Sequence, residues 1–270
     1  AKLAGIPCVI HQRGDTADDG PLFRMFRNFV AKVICVSKAT AQNAEAAGIS
    51  QSKLVTVYNG IDPDLPVTRS RQLLRAQIGI AETTPLIGIA GTIRSWKGQD
   101  VVLKAVRLLK DNFPNIQCLI IGEVSNDQRE YEAYLHALVE DLGISCHVRF
   151  LGHQDRVFDF VNAIDVPVHA STEPEPFGRV IIEAMALEKP IVASRAGGVT
   201  EIVVEGETGL LYTPGDAAAL AACVKHLLEN PELAKRLGER GRRREEECFH
   251  ADQTVKRVMD LYEEVRPSTS

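Results

Sequence analysis

The sequence predicts an α/β protein built on a doubly wound, mainly parallel sheet, and three observations carry that prediction. Short apolar runs alternate with amphipathic stretches of helical period along most of the chain. Polar or glycine-rich turns follow most of the apolar runs, at the rim where open α/β sheets bind ligands. No repeat at a solenoid period interrupts the series.

Residues 6–10 form a short apolar run, broken at Arg13-Gly14, and 32–36 (Lys-Val-Ile-Cys-Val) read as a buried strand. Ser37 caps a helix over 38–47 that ends at Gly48. Residues 54–58 form another strand, closed by the turn cluster Asn59-Gly60 and Asp62-Pro63. Periodicity stops over 66–70, which reads as a linker. A fresh series opens with a strand at 86–90, a polar loop over 91–98, and a helix over 99–112. Val101, Val102, Ala105, Leu108 and Leu109 share one side of that helix. Strand 117–121, helix 127–142, strand 148–151, helix 156–163 and strand 165–169 follow. A helix then starts at about Gly178. Strand 191–193, a glycine-rich loop, strand 209–212 and helices over 216–229, 231–247 and 251–265 complete the series. The run Arg-Arg-Arg-Glu-Glu-Glu at 242–247 reads as a solvated helix face.

The chain has 270 residues, enough for one large or two ordinary domains. Hydrophobic residues at 45% and charged residues at 25% place it among globular proteins. A net charge of −5 argues against a nucleic-acid binder, which shows a basic face. The cysteines at 8, 35, 118, 146, 223 and 248 have no metal-site spacing and read as small buried hydrophobes in a reducing compartment. The apolar runs near 84–93 and 180–187 are too short to span a bilayer. The expectation is a soluble cytoplasmic protein, with peripheral contact at the inner membrane face left open. Residues 1–63 hold two or three strands, too few for an independent sheet covered on both faces.

The chemistry concentrates in Ser171-Thr-Glu-Pro-Glu-Pro-Phe-Gly-Arg-Val-Ile-Ile-Glu-Ala-Met-Ala186, followed by Lys189-Pro190 and Gly197-Gly198-Val-Thr-Glu201. Glu175 and Glu183 stand eight positions apart across a Phe177-Gly178 turn. Glu183 falls among Val180, Ile181, Ala184 and Leu187, where a carboxylate is costly unless paired. The backbone N–H groups of Phe177, Gly178 and Arg179 would sit unpaired at the helix start, where an anion is favoured. Such a segment can grip a diphosphate and the hydroxyls at both of its ends. The plainer alternative is an amphipathic helix with a stray glutamate. The loop Gly91-Thr-Ile-Arg94-Ser-Trp-Lys97-Gly98 adds two cations at the end of the 86–90 strand. Arg94 offers a planar fork for phosphate oxygens and Lys97 a point charge. Apart from Asp62-Pro63-Asp64 in the turn cluster, no Asp-x-Asp spacing is present to hold a metal, and no Ser/His/Asp triad competes. A diphosphate leaving group would therefore be stabilised by protein cations and dipoles.

This arrangement resembles the E-x7-E motif of the retaining, GT-B-fold glycosyl transferases group 1, which use nucleotide-diphospho-sugars. Glu-Pro-Phe-Gly, Glu-Ala-Met-Ala, Lys-Pro-Ile-Val-Ala and Gly-Gly-x-x-Glu occur in that family's order and spacing. The resemblance implies a Rossmann-like, nucleotide-sugar donor domain over 64–245 and a partial Rossmann-like N-terminal domain over 1–63, the closing part of an acceptor-side domain. About 80–120 further residues would precede it by ordinary domain size. Residues 246–270 would form a C-terminal helix packing back toward the first domain. The implied activity is retaining, hexosyl-type transfer from a UDP-, GDP- or ADP-sugar to a hydroxyl of a carbohydrate or lipid-linked acceptor. It would need no metal and no other cofactor, and would serve glycan, polysaccharide or glycolipid synthesis.

By the same resemblance, Glu183 accepts hydrogen bonds from the ribose hydroxyls, and Glu175 lies near the donor sugar and the reaction centre. Phe177 and Gly178 present backbone N–H groups. Lys97 falls on the family's phosphate-binding lysine, whereas Thr92 occupies the usual arginine position and Arg94 stands two residues further on. Gly91, Gly122, Gly152 and Gly198 shape the cleft, Gly152 beside the nucleobase. Arg13 takes the position of an acceptor-facing histidine, with His11 two residues earlier. Two other readings are a nucleotide-sugar-binding module without turnover, and a GT-B enzyme of another class such as a sugar phosphorylase or an epimerase.

Overall fold

A computed structural model of the chain describes residues 7–14 and 29–266. Ile6 of the first predicted strand and residues 267–270 of the C-terminal segment lie outside the described residues. The first lobe is a parallel sheet of β1 (Val9–Gln12), β2 (Lys32–Cys35) and β3 (Leu54–Thr56), in that spatial order. Between β2 and β3 runs α1 (Lys38–Ala46), and the Ser37 hydroxyl accepts the Thr40 N–H as its cap. Val33, Cys35, Ala44 and Ile49 bury together between helix and sheet.

The second lobe contains, in chain order, α2 (Arg71–Gln77), β4 (Leu86–Ala90), α3 (Gln99–Leu109), β5 (Gln117–Ile121), α4 (Arg129–Asp141), β6 (Val148–Gly152) and α5 (Val157–Ala163). It continues with β7 (Val166–His169), α6 (Arg179–Ala186), β8 (Ile191–Ser194), α7 (Val199–Ile202), β9 (Gly209–Tyr212), α8 (Ala217–Glu229) and α9 (Pro231–Cys248). Its strands are all parallel, in the order β6-β5-β4-β7-β8-β9. The side-chain period of two divides them between two covered faces. Ile87, Ile89, Cys118 and Ile120 face α3, α4 and α8, while Leu86, Leu119 and Ile121 face α2 and α5. Because β4 pairs with β5 on one side and β7 on the other, the order reverses there, and a crevice opens beyond their carboxyl ends.

Then α10 (Ala251–Val265) returns to the first sheet, where Leu261 is fully buried with Ile34 and Val57. The return strand crosses beside the outward one. Ile61 N–H donates to Phe249 O at 2.9 Å and Ala251 N–H to Ile61 O at 2.8 Å. Gly60 makes room for this crossing, since a Cβ there would stand 2.6 Å from Thr254 Oγ1 and 2.7 Å from His250 O. No described helix is long and apolar enough to cross a membrane.

Several segments add to or differ from expectation. The 66–70 linker is irregular but anchored: Thr68 N–H and O–H and Arg69 N–H and Nε–H all donate to the buried Asp159 carboxylate. Burial would raise that carboxyl, but the hydrogen bonds prevail and hold it at about 2. Two helices, α2 and the short α7, were not expected. In α2 the inward residue after Leu74 is Arg75, 1% exposed, so a hydrophobic-period reading counts the core face as polar. The run at 242–247 is only partly solvated. Glu245 is fully buried with neither carboxyl oxygen bonded, and burial pushes its carboxyl up to about 7. The expected helices over 38–47, 99–112 and 127–142 are each slightly shorter, α4 being preceded by a 3-10 turn over Asn126–Gln128.

Candidate functional site

Two loops meet in the crevice at the β4/β7 switch point. The first leaves β4, and Gly91 N–H and Ile93 N–H extend the sheet pattern by donating to Ile121 O and Glu123 O, each at 2.9 Å. A 3-10 turn over Ser95–Lys97 then carries Lys97 inward, ending at Gly98 with φ +71°. Glycine is required there, because a Cβ would stand 2.0 Å from Ala170 O. The second loop leaves β7, and Thr172 N–H donates to Trp96 O at 2.8 Å, which ties the two loops together.

Lys97 Nζ lies 4.0 Å from the centre of the Trp96 ring and donates to Glu175 Oε2 at 2.7 Å and Oε1 at 3.0 Å. Glu175 Oε2 also accepts from Ser171 Oγ at 2.8 Å and faces His169 Nε2 at 3.4 Å. The other ring nitrogen of His169, Nδ1, lies 3.2 Å from Ser194 Oγ. The Glu175 backbone is held as well, since its carbonyl accepts the Gly198 N–H at 2.8 Å. Burial alone would raise the Glu175 carboxyl, but the His169 hydrogen bond and the Lys97 charge outweigh it and hold it at about 2.

From Glu175 the chain turns through Gly178, φ +108°, into α6. Among the described residues, the N–H groups of Phe177, Gly178 and Arg179 donate to no acceptor, so the positive end of α6 faces the crevice with donors free. The Phe177 ring is buried against Tyr58 and Phe249 at centroid distances of 6.1 and 5.9 Å, so it contributes backbone to the site and side chain to the core. One turn into α6, Glu183 is mostly buried, with Arg179 Nη2 3.4 Å away as its ion-pair partner. Burial raises the Glu183 carboxyl, with Arg179 opposing.

A cavity of about 220 Å³ lies in the crevice, lined among others by Gly91, Thr92, Lys97, His169, Ser171 and Val180. A smaller one of about 20 Å³ adjoins it, sharing Ala90, Val168 and Val180 and reaching Glu183. The structure thus gathers Lys97, Glu175, Glu183, Gly91 and the 177–178 backbone at one crevice. Gly198 belongs there too, behind Glu175. Gly122 acts one layer back: its N–H donates to Gly152 O at 2.9 Å, and a Cβ on it would stand 2.0 Å from Gly91 O. Gly152 is exposed at the end of β6 and lines neither cavity. Arg94 also lines neither, and interacts with the charge of Asp127. Arg13 is exposed just past β1, and no described contact joins it to Lys97 or Glu175. His11 instead meets Tyr262 of α10, its Nε2 3.1 Å from the phenol oxygen. Among the described residues, no three His, Cys, Asp or Glu side chains gather as a metal site. The described cysteines are free; Cys35 and Cys118 are buried as expected, whereas Cys8, Cys223 and Cys248 are half-buried and Cys146 is exposed.

Sequence reasoning missed the support behind Glu175. His169, Ser171 and Ser194 are all buried, and the available signal was a polar residue ending each of two apolar strands at the switch point. It also gave no role to Glu201, whose carboxylate accepts Lys38 N–H at 2.8 Å, Ala39 N–H at 2.9 Å and Tyr58 O–H at 3.0 Å. A residue of the second lobe thereby caps α1 of the first. Burial, reinforced by Glu201, pushes the Tyr58 phenol up to about 12.

Two parallel α/β lobes, with a switch-point crevice in the second and a lysine and free helix-end donors at its rim, fit the GT-B architecture of sugar-transferring proteins. The chain belongs to the glycosyl transferases group 1: that family's sequence profile matches residues 70–244, and the profile of Glycosyltransferase Family 4 matches 2–65. It is 33% identical over 211 residues to the N-acetyl-alpha-D-glucosaminyl L-malate synthase of Bacillus anthracis, covering 78% of this chain and 53% of that protein. It is 32% identical over 220 residues to the D-inositol 3-phosphate glycosyltransferase of Streptomyces avermitilis, covering 78% of this chain and 47% of the relative. The chain thus spans about half the length of these curated relatives. Anabaena HepE, solved in complex with UDP and glucose, superposes with a TM-score of 0.91 at 27% identity, over 97% of this chain and 73% of that one. WaaG, a glycosyltransferase involved in lipopolysaccharide biosynthesis, shares the fold with a TM-score of 0.75 at 19% identity, over 94% of this chain and 75% of that one.

Proposed function

We propose that the crevice binds a nucleotide-diphospho-sugar and that the chain carries the donor side of a retaining, hexosyl-type glycosyl transfer. One observation carries this reading: the Lys97–Glu175 ion pair sits beside the unpaired N–H groups at 177–179, with Glu183 one turn inside the same helix. The binding of UDP and glucose by HepE, which shares this fold, supports it.

Lys97 and the N–H groups at the start of α6 bind the diphosphate, and Glu183 accepts hydrogen bonds from the two ribose hydroxyls. Glu175 lies beside the sugar. The bond from the anomeric carbon to the phosphate oxygen breaks first, its electron pair leaving with the diphosphate, where Lys97 and the helix end stabilise it. The resulting oxocarbenium carbon is attacked on the same face by a hydroxyl of a carbohydrate or lipid-linked acceptor. The hydroxyl proton passes to the departing diphosphate, so the new glycosidic bond retains configuration. No metal takes part in this scheme, and a chelator would leave the rate unchanged. Arg94 and Arg13 have no assigned step.

Isothermal titration with UDP, GDP and ADP tests the reading, on this chain and on its full natural length, alongside Lys97→Ala and Glu183→Ala. Micromolar binding of one nucleotide, weakened at least about tenfold by each substitution, is the expected result. Failure of all three nucleotides to bind either protein overturns it.

A further inference from the structure

We infer that His169 is the positioning residue of Glu175, holding its carboxylate in place when Lys97 turns from it to a bound diphosphate. The inference rests on the role given to Glu175 above. Two arms grip this carboxylate, and they differ in freedom. Lys97 lies on a loop, is 24% exposed, and lines the cavity on a flexible four-carbon stem. His169 closes strand β7, is 3% exposed, and has both ring nitrogens engaged: Nε2 toward Glu175 and Ser171, Nδ1 toward Ser194 of β8.

The arms also differ in which oxygen they hold. Lys97 Nζ reaches both Oε1 and Oε2. His169 and Ser171 reach Oε2 alone. A diphosphate in the cavity competes for Lys97, and each hydrogen bond it gains there is lost to Glu175. With Lys97 as its sole partner, the carboxylate would then be buried and unpaired, and would take up a proton or turn away. Because His169 Nε2–H and Ser171 O–H stay on Oε2, the carboxylate remains ionised and fixed while Oε1 is released toward the sugar. The exchange of Lys97 thus aims one oxygen at the reaction centre.

The order Ser194–His169–Glu175 has the connectivity of a nucleophilic triad, but Ser194 is fully buried and lines neither cavity of the crevice. The bonds therefore act on the carboxylate rather than on the serine. The titratable groups facing Glu175 are Lys97, from the turn after β4, and His169, from β7. β8 presents only the neutral Ser194 behind the imidazole, and the 197–198 loop presents backbone.

The test compares His169→Leu, His169→Gln and Ser194→Ala with Glu175→Gln, in the chain at its full natural length. Three quantities are measured: kcat and KM for hydrolysis of UDP-, GDP- and ADP-glucose, nucleotide affinity, and the ¹³C-carboxyl titration of Glu175 with and without bound nucleotide. For His169→Leu, a kcat loss on the order of 10–100-fold is expected from a misplaced reacting group. Nucleotide affinity should stay within about two-fold, since His169 acts on the rate by placing Glu175 rather than by holding the diphosphate. The Glu175 carboxyl should titrate at higher pH, most of all with nucleotide bound or in Lys97→Ala. His169→Gln, which returns an N–H near the Nε2 position, should recover most of the rate. Wild-type kcat and an unmoved Glu175 titration in His169→Leu would overturn the proposal. So would a His169→Gln protein as slow as His169→Leu at equal melting temperature. Should His169→Leu fail to fold, His169→Gln and Ser194→Ala decide by the same titration. If Glu175→Gln keeps its full rate, the role of Glu175 fails instead, and the titration still reports whether His169 holds the carboxylate.

Discussion

At the amino end of the β4–β7 pair, Arg71 and Arg75 meet Asp165; at the carboxyl end, Lys97 meets Glu175. Both clusters are partly buried and both border a cavity, the amino-end one being larger at about 360 Å³ against about 220 Å³. They differ in what is left over. Arg75 spends its guanidinium on Asp165 and on the carbonyls of Ala163, Glu82 and Thr84. Asp165 is held in turn by Arg71 and the Leu86 N–H. Lys189 donates to Asn162 O, and burial lowers its ammonium to about 8. At the carboxyl end, Lys97 has one carboxylate partner and the neighbouring helix N–H groups have none. The two ends therefore differ in uncommitted donors, which is the ground for placing the proposed site at the carboxyl end.

The comparison breaks if the two clusters respond alike to substitution. The largest effect belongs to Asp165→Ala, which removes the carboxylate that two arginines share. Removing one partner of a buried pair costs about 3–5 kcal/mol, so the urea midpoint should fall steeply while nucleotide affinity of the folded protein is unchanged. Next is Glu175→Gln, for which kcat should fall by at least about 100-fold, or about 2.7 kcal/mol, with the urea midpoint moving far less than in Asp165→Ala. Loss of both nucleotide affinity and stability in either variant would erase the distinction.

Glu183→Ala sharpens the comparison. Nucleotide binding should weaken about 10–100-fold, or about 1.4–2.8 kcal/mol. A 2′-deoxynucleotide should bind the variant almost as well as the ribonucleotide does, because the carboxylate that tells them apart is gone. Equal discrimination in wild type and variant would remove Glu183 from the ribose.

Glu245 supplies the smallest effect and a third kind of buried carboxyl, one with no hydrogen-bond partner among the described residues. Its folded carboxyl titrates near 7, above the ordinary value of 4.5. The folded state therefore holds a proton that the unfolded state releases as pH rises, so stability falls between about 4.5 and 7 and then levels off. Glu245→Gln should match wild type at pH 4 and exceed it by about 1–2 kcal/mol at pH 8, read from melting temperatures across that range. Glu175 and Asp159, both held near 2, carry the opposite sign. They stabilise the fold above about 4.5, and that contribution is lost as pH falls through 2. An equal gain from Glu245→Gln at pH 4 and pH 8 would contradict the assignment.

Much of the second sheet was legible because its strands are covered on both faces and read as unbroken apolar runs, as in Leu-Ile-Gly-Ile-Ala of β4. The gathering of Lys97, Glu175 and Glu183 at one crevice was legible from their places at the ends of β4 and β7 and in the helix that follows. Concealed were the features that depend on partners distant in sequence. The inward face of α2 is an arginine whose partners lie on the loop before β4 and beside β7. The anchors of the 66–70 segment sit on Asp159, some ninety residues away. Glu245 looked solvated because its neighbours Arg243 and Glu246 are so placed, and the burial comes from the packing of α9 on α6. His169 read as the end of a strand, and only the pairing of β7 with β8 brings Ser194 behind its ring.

The side-by-side crossing at Ile61 and His250 has a mechanical consequence. The chain passes between the lobes once in each direction, and the two passages are joined by a pair of backbone hydrogen bonds with Thr254 and Gly60 packed against each other. Two independent tethers would let the lobes slide or shear. A bonded pair acts as a single pivot: translation must break its hydrogen bonds, whereas rotation about it need only change torsions in the flanking residues. Any rotation of one lobe against the other would also have to break the Glu201 cap on α1.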